Sequence, residues 1–379
     1  MEDTADFRGN SNMADLEERM RQLVMLIEVT PVEVARMAEV RGAVEAALAP
    51  GLPAARVTPF GSSACGLALR SCDLDLSVAV GQAMDRRRRT EMVADLLRRH
   101  ARFRDLQVIG RRSRTPIVRL ADRRTGVRCD VSACSRAGVH NTRYVRHCLD
   151  SDPRARTLAM VVKCFARRHG ISGTGPGDHL NSYSLTLMVI FFLQTQDILH
   201  PLAVLRRVPG LEKVAVDGLD FSYCTDTSLL PSLPSHPASA AELLHAFLRY
   251  FAAFDYRSSA VSLEHGRPLE RASLAAAGPL AVLDPFEVGR SVTAGVSGSR
   301  LAVMTAAMGT AASLLDSFLT AEKAQRGNFF LTLMEPGFPG FSGGGRAGSG
   351  VEPGGAARHR GSLGHQRFVI QPGGSSRRC

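Results

Sequence analysis

Gly61-Ser62-Ser63-Ala64-Cys65-Gly66-Leu67-Ala68-Leu69-Arg70-Ser71-Cys72-Asp73-Leu74-Asp75-Leu76 is the stretch on which the reading of this chain turns. From Asp73 to Val80 polar and apolar residues alternate. Leu74, Leu76, Val78 and Val80 share one face and Asp73, Asp75 and Ser77 the other, the period-two pattern of a half-buried strand. Two aspartates two residues apart on a strand point the same way. Both carboxylates can then grip one pair of divalent cations, as two-metal phosphoryl transfer requires. Upstream, Gly61-Ser62-Ser63 reads as a tight turn whose hydroxyls and backbone N–H groups suit phosphate oxygens. A D-x-D pair alone reads more simply as a solvent-facing strand; the G-S-S turn at this spacing makes the pattern specific.

Outward from this stretch, Arg56 to Phe60 reads as a short strand, residues 85 to 100 as a helix, and Pro116–Leu120 with Val127–Ala133 as a hairpin around Asp122–Gly126. Residues 13 to 49 read as helical, with Pro31 interrupting and Pro50, Gly51 and Pro53 closing the region. From Arg156 onward helices are expected over 156–169, 181–196, 239–253 and 299–319, and the apolar run Leu185–Leu193 as a buried helix. Residues 205–238 read as irregular. After Glu335 the composition turns to Gly, Ser and Arg, too poor in apolar residues to offset chain entropy. The expected fold is α/β (α+β) and bilobal. A small mixed-sheet lobe spans 32–148, a mainly helical lobe takes 1–31 and 149–335, and 336–379 is a disordered tail.

At 379 residues, with 45% hydrophobic and 22% charged residues, the chain has an ordinary globular balance. Its net charge of +11 is unevenly placed: residues 76–170 sum to +15, against −4 for 1–30, −1 for 31–75, −4 for 171–335 and +5 for 336–379. Such a block favours phosphate-bearing partners over a merely solvated face. Nearly all of the charge is arginine, the only lysines being Lys163, Lys213 and Lys323, so a retained lysine draws notice. The eight cysteines show no CxxC pair and no zinc-ligand spacing, and dispersed thiols suit a reducing compartment. No run approaches the roughly 20 apolar residues of a membrane span. The acidic N-terminus has neither a signal-peptide core nor the usual character of a mitochondrial presequence, so the compartment, cytoplasmic or mitochondrial, stays open.

The G-S-S…D-x-D signature resembles that of the DNA polymerase β-like nucleotidyltransferases, and within them the terminal uridylyl transferases and non-canonical poly(A) polymerases. Further landmarks follow in order: Val139-His140-Asn141-Thr142-Arg143, Val162-Lys163-Cys164-Phe165-Ala166-Arg167-Arg168, Leu180-Asn181-Ser182-Tyr183-Ser184-Leu185, Phe254-Asp255-Tyr256-Arg257, Gly266-Arg267-Pro268-Leu269 and Leu283-Asp284-Pro285-Phe286-Glu287. The resemblance covers roughly residues 16–319, and six landmarks in sequence make chance similarity improbable. In compactness the chain is similar to minimal enzymes of this type, trypanosomatid ones among them.

The resemblance implies that Asp73 and Asp75 bind two Mg²⁺ or Mn²⁺ ions. It also implies a third carboxylate on a later strand, matched by Asp130, which binds one metal and helps activate the attacking 3′-hydroxyl. Taken alone, Asp130 reads as a hairpin carboxylate paired to Arg128. Lys163 and Arg167, four apart on a helix, can together neutralise a triphosphate. Gly61, Ser62, Ser63, Thr142 and Ser182 fall beside the phosphates, Tyr183 on the base, and Asn141 on the ribose and pyrimidine edge. Asp284 and Glu287 could accept from uracil N3–H, an interaction adenine N1 cannot offer. The same D-P-F-E also reads as an N-capped helix start. Arg290 departs from relatives in which a uracil-selecting histidine occurs nearby.

The activity this implies is template-independent transfer of UMP from UTP to a single-stranded RNA 3′-hydroxyl, with release of pyrophosphate, and no membrane partner. A larger RNA-processing complex is a further candidate partner. Alternatives are an ATP-using poly(A) polymerase, an inactive RNA-binding scaffold and a small-molecule nucleotidyltransferase. Arg86–Arg89, Arg98, Arg99, Arg102, Arg104, Arg111 and Arg112 are candidates for a non-specific RNA track.

Overall fold

The computed structural model describes residues 2–80, 84–173, 179–274, 278–320 and Met334, with side chains from Asn12 onward. The disordered reading of 336–379 lies outside these residues. Ten α-helices are described: α1 Glu2–Ile27, α2 Pro31–Leu48, α3 Ser62–Cys65, α4 Arg86–Arg99, α5 Arg136–Ser151, α6 Pro153–Arg168, α7 Ser182–Thr195, α8 Leu202–Arg206, α9 Ala240–Ala253 and α10 Gly298–Thr320. The main sheet contains β1 Arg56–Phe60, β2 Leu74–Ala79, β3 Phe103–Ile109, β4 Ile117–Asp122 and β5 Arg128–Ser132.

The long N-terminal helical reading resolves into two helices because Pro31 cannot donate within a helix. Thr30 instead closes a capping box with Glu33, and Pro31 takes the first helical position. Ser239 and Glu242 start α9 in the same way. Between them, α2 and α4 cover one face of the sheet. Met37, Val40, Val44, Leu48, Val93 and Leu97 join Leu74, Leu76, Val78, Val118, Leu120 and Val131 in one apolar cluster.

The sheet order is β1-β2-β5-β4-β3. It is mixed: β2 runs parallel to β5, while the other pairs are antiparallel. Register places Phe60 beside Asp75, Asp75 beside Asp130, Asp130 beside Arg119, and Arg119 beside Gln107. The period-two alternation that buries Leu74 and Leu76 on the helix side thus puts this row on the opposite face.

A second, larger cluster unites α1, α5, α6, α7, α9 and α10, with Leu16, Met20, Tyr144, Phe165, Phe191, Phe192, Phe247 and Leu315 fully or almost fully buried. Helix α7 is its centre. Every residue from Ser184 to Gln194 is buried, so it is apolar all round rather than amphipathic. Helix α10 has the length and composition to cross a membrane, contrary to the expectation that no run comes close. Here Met304, Met308, Ala311, Leu315 and Phe318 are buried in the cluster shared with α1 and α9. Strand β3 and helix α5 are additions to the elements expected from sequence.

Candidate active site

Asp75 sits near the start of β2, and Asp73 precedes the strand by one residue. Parallel pairing sets Asp75 directly beside Asp130 of β5. Three carboxylates therefore gather on one face of the sheet near the start of β2, and their fields act on each other. Burial, then Asp130, then Asp73 push the Asp75 carboxyl up to about 7, against the opposing pull of Lys163 and Arg119. Among the described residues no hydrogen bond or ion pair reaches the Asp75 carboxylate.

Gly61 explains why the G-S-S turn must open with glycine. Its φ of 69° with ψ of −152° is a conformation that side-chain-bearing residues avoid. A Cβ there would stand 2.5 Å from Asp75 Oδ2. The missing side chain keeps the space beside that carboxylate open. The Gly61 N–H donates to Thr142 Oγ1 at 2.9 Å, and Thr142 in turn donates to the Gly138 carbonyl at 2.7 Å, tying the turn to α5. Ser63 Oγ donates to the Phe60 carbonyl at 3.2 Å. Ser62 opens α3 and lends its carbonyl to the Leu67 N–H.

The other two aspartates are held by arginines. Arg119 grips Asp130 with both arms of its fork, Nε to Oδ1 at 2.8 Å and an Nη to Oδ2 at 2.7 Å. Arg128 donates through Nε to Asp73 Oδ1 at 2.7 Å. The pairing of Asp130 with Arg128 suggested by sequence is thus replaced. Arg128 is two residues from Asp130 on the same strand, whereas Arg119 lies opposite it across the antiparallel ladder, where side chains meet. Among the described residues no group of three or more His, Cys, Asp or Glu side chains converges on a single metal point. Asp73 and Asp130 are turned onto their arginines. The oxygen donors, the open space at Gly61 and the mutual repulsion felt by Asp75 nevertheless fit a divalent-cation site.

Lys163 on α6 donates to the Leu67 carbonyl at 2.8 Å, pinning the helical region to the segment just before the D-x-D pair. Burial holds its ammonium below the ordinary lysine range, while Cys65, Cys72 and Asp75 pull the other way. Arg167 is exposed. Ser182 is exposed at the first position of α7, and the cap is Asn181, whose side chain accepts from Ser184 N at 2.7 Å. Tyr183 is partly buried, and its hydroxyl is buried without a hydrogen-bond partner.

A second acidic corner lies at Asp284–Glu287. It forms a turn with no helix after it, so the capped-helix reading is corrected: Asp284 Oδ1 does accept from the Phe286 and Glu287 N–H groups at 3.0 and 3.1 Å, but the chain then returns through Gly289 at φ 77°. Phe286 anchors the turn against Tyr144 and Phe221, ring centroids 5.2 and 4.7 Å away. Asp284 Oδ2 takes Asn141 Nδ2 at 3.3 Å and lies 3.7 Å from Arg290. Glu287 takes Arg114 at 2.6 Å and Arg290 at 3.0 Å. Despite the upward push of burial, Arg114 and then Arg290 hold the Glu287 carboxyl below its usual range. Asn141 Oδ1 is buried with no partner. Arg114 and Arg119 are functional candidates that sequence reasoning missed; Arg119 was accessible through hairpin register, while Arg114 carried no signal.

The fold is shared with solved nucleotidyltransferases, and two segments of the chain match family models of that kind. Residues 16–149 match the family described as "Poly(A) RNA polymerase, mitochondrial-like, central palm domain", and residues 239–290 match "Cid1 family poly A polymerase". Among curated proteins, the speckle targeted PIP5K1A-regulated poly(A) polymerase of Mus musculus is 36% identical over 241 residues, covering 60% of this chain and 27% of that protein. The mitochondrial poly(A) RNA polymerase of Drosophila melanogaster is 26% identical over 317 residues, covering 75% of this chain and 51% of that one. The chain thus spans about a quarter to a half of the length of these relatives. The fold matches mtPAP crystallised with GTP at a TM-score of 0.76 and 23% identity, covering 86% of this chain and 76% of that one. It matches the Cid1 poly(U) polymerase at 0.74 and 24%, covering 86% and 99%.

Proposed function

We propose that the chain extends RNA 3′ ends without a template, by attack of the terminal 3′-oxygen on the α-phosphorus of a nucleoside triphosphate. A P–O bond forms, the bond to the bridging oxygen breaks, pyrophosphate leaves, and the hydroxyl proton passes to solvent. The observation that carries this reading is the juxtaposition of Asp75 and Asp130 on adjacent parallel strands, with Gly61 leaving space beside Asp75. Asp73 and Asp75 would hold two Mg²⁺ or Mn²⁺ ions and Asp130 one of them; when bound, these ions supply activation of the 3′-hydroxyl and charge compensation for pyrophosphate. Arg167 and Ser182 are placed in the exposed surface to meet the triphosphate, while Lys163 acts chiefly by holding Leu67. Tyr183 and Asn141, with orphaned buried polar atoms, are assigned to the base and ribose. The division into a catalytic 32–148 and a base-holding 1–31 plus 149–335 remains part of this proposal.

Two donors compete. Uridylyl transfer from UTP rests on Asp284 and Glu287 as free acceptors for uracil N3–H. In the structure those oxygens already receive Arg114, Arg290, Asn141 and two backbone N–H groups. We therefore infer ATP as the preferred donor, a reading also supported by the names of the curated relatives, with UTP as the rival. Incubating the protein with a single-stranded RNA primer and each nucleotide in competition decides: dominant UMP incorporation overturns the ATP inference, and no incorporation with any nucleotide favours the inactive scaffold.

The RNA track is trimmed by the structure. Arg102 is removed from it, because its half-buried guanidinium is already bound to Asp122 and Glu39. Arg88, Arg99 and Arg112 are exposed, with no ion pair among the described residues, and are its strongest members.

A further inference from the structure

We propose that Arg119 is the resident counter-ion of the three-aspartate corner, and that a divalent cation binds there by taking Asp130 away from it. The proposal rests on reading the aspartates as cation ligands and names a residue that acts on that binding. Arg119 and Asp130 are register partners across the β4–β5 ladder, so strand pairing itself delivers the guanidinium to the carboxylate. The contact is a full fork, at 2.8 and 2.7 Å, with one donor on each oxygen. Such bidentate pairs are the strong class of charge-assisted hydrogen bond. The Asp130 side chain is 14% exposed and that of Arg119 42%, so the carboxylate end of the pair is sheltered while the guanidinium reaches solvent.

The contrast with Arg128 is informative. It reaches Asp73 through a single bond, with side-chain exposures of 63% and 30%, in the range where ion pairs contribute little. Among the described residues no arginine forms a hydrogen bond or ion pair with Asp75, which feels Arg119 only through its field. Without cations, register leaves two carboxylates side by side on β2 and β5, and Arg119, half-exposed beside them, is the charge that offsets them. A cation needs the same Asp130 lone pairs that the fork occupies, so guanidinium and metal compete. Arg119 is in this sense a positioning residue, stabilising the cation-free protein at the expense of cation affinity.

The test is a Mn²⁺ titration of the full 379-residue chain, followed by electron paramagnetic resonance of free Mn²⁺, alongside thermal midpoints with and without Mn²⁺. Arg119→Gln is expected to bind Mn²⁺ about tenfold more tightly than the unmodified protein, as fits removal of one competing charge-assisted contact. Its midpoint should fall without Mn²⁺ and recover with it. Arg119→Lys, which keeps charge but loses the fork, should lie between; it also serves if the glutamine variant does not fold. Arg128→Gln should change affinity by less. Equal or weaker Mn²⁺ binding by both Arg119 variants overturns the competition. If the unmodified protein binds Mn²⁺ no better than Asp130→Asn, the cation reading itself fails, and this proposal with it.

Discussion

In the strand-borne corner, Asp73, Asp75 and Asp130 are gathered by pairing between neighbouring strands. Among the described residues one of them, Asp75, has no hydrogen-bond or ion-pair partner, and its carboxyl is pushed up to about 7 by burial and by the other two. In the corner at Asp284–Glu287, two carboxylates are gathered by contacts between residues 143 and 173 positions apart in sequence, and each is matched by arginine, amide or backbone donors. The first corner is electrostatically unfinished and the second is closed. That difference teaches where external charge belongs. On the proposed reading, a site short of positive charge suits cations, whereas in the satisfied one the polar atoms left over are Asn141 Oδ1 and the Tyr183 hydroxyl.

The largest effect that could break this contrast is at Asp75. Asp75→Asn should lower single-turnover primer extension by about 10³-fold, the scale of a lost metal-ligand contribution to the transition state. The same variant should raise the thermal midpoint of the metal-free protein at pH 8. Sign follows from the raised folded-state pKa: above about 7 the native state carries the cost of an ionised Asp75 that the unfolded chain does not. The gain should shrink as pH falls from about 7 towards the unfolded value near 4. A midpoint unchanged across that window would mean that the corner is not charge-frustrated.

Next comes Gly61→Ala, which meets both a positive φ and a 2.5 Å approach to Asp75 Oδ2. It should cost about 1–3 kcal/mol of stability by chemical denaturation and about 10²-fold in extension rate. An active, stable alanine variant would remove the glycine from the site. At the closed corner, Arg290→Gln frees acceptors on Asp284 and Glu287. It should shift the UTP-to-ATP ratio of kcat/KM about tenfold towards UTP in nucleotide competition. No shift would show that spent acceptors do not govern donor choice. Smallest is the triple change Arg88→Gln, Arg99→Gln and Arg112→Gln, expected to weaken primer binding several-fold and flatten its salt dependence by about one to three phosphate contacts. An unchanged salt slope would place the RNA elsewhere.

Much of the palm was legible because its signals are local. The alternation after Asp73 gave β2, the Asp122–Gly126 turn gave the β4–β5 hairpin, and the continuous apolar run from Leu185 gave α7. Strand β3 was missed for a physical reason: it is a sheet edge, exposed at Arg104, Asp105 and Gln107, with a register shift between Arg104 and Gln107, so no clean alternation survives. Helix α5 was missed because its start carries no side-chain cap and its sequence holds Gly138, Asn141 and Thr142, poor helix formers kept for contacts made elsewhere. Asp73 and Asp75 were readable from spacing, and Asp130 from the family resemblance. Their partners were not: Arg128 looked like the neighbour of Asp130 along the chain, and Arg119 proved to be its neighbour across the ladder.

By itself the sequence determined which residues alternate, which helix must be buried and that Asp73 and Asp75 share a face, since backbone periodicity converts spacing directly into facing; Asp130 joined them only through the family resemblance. Only the tertiary structure decided how those charges are compensated. Arg119 on Asp130, Arg114 on Glu287 and Lys163 on the Leu67 carbonyl are matters of which atoms the fold brings within about 3 Å, and an electrostatic interaction depends on that distance and on burial rather than on position along the chain.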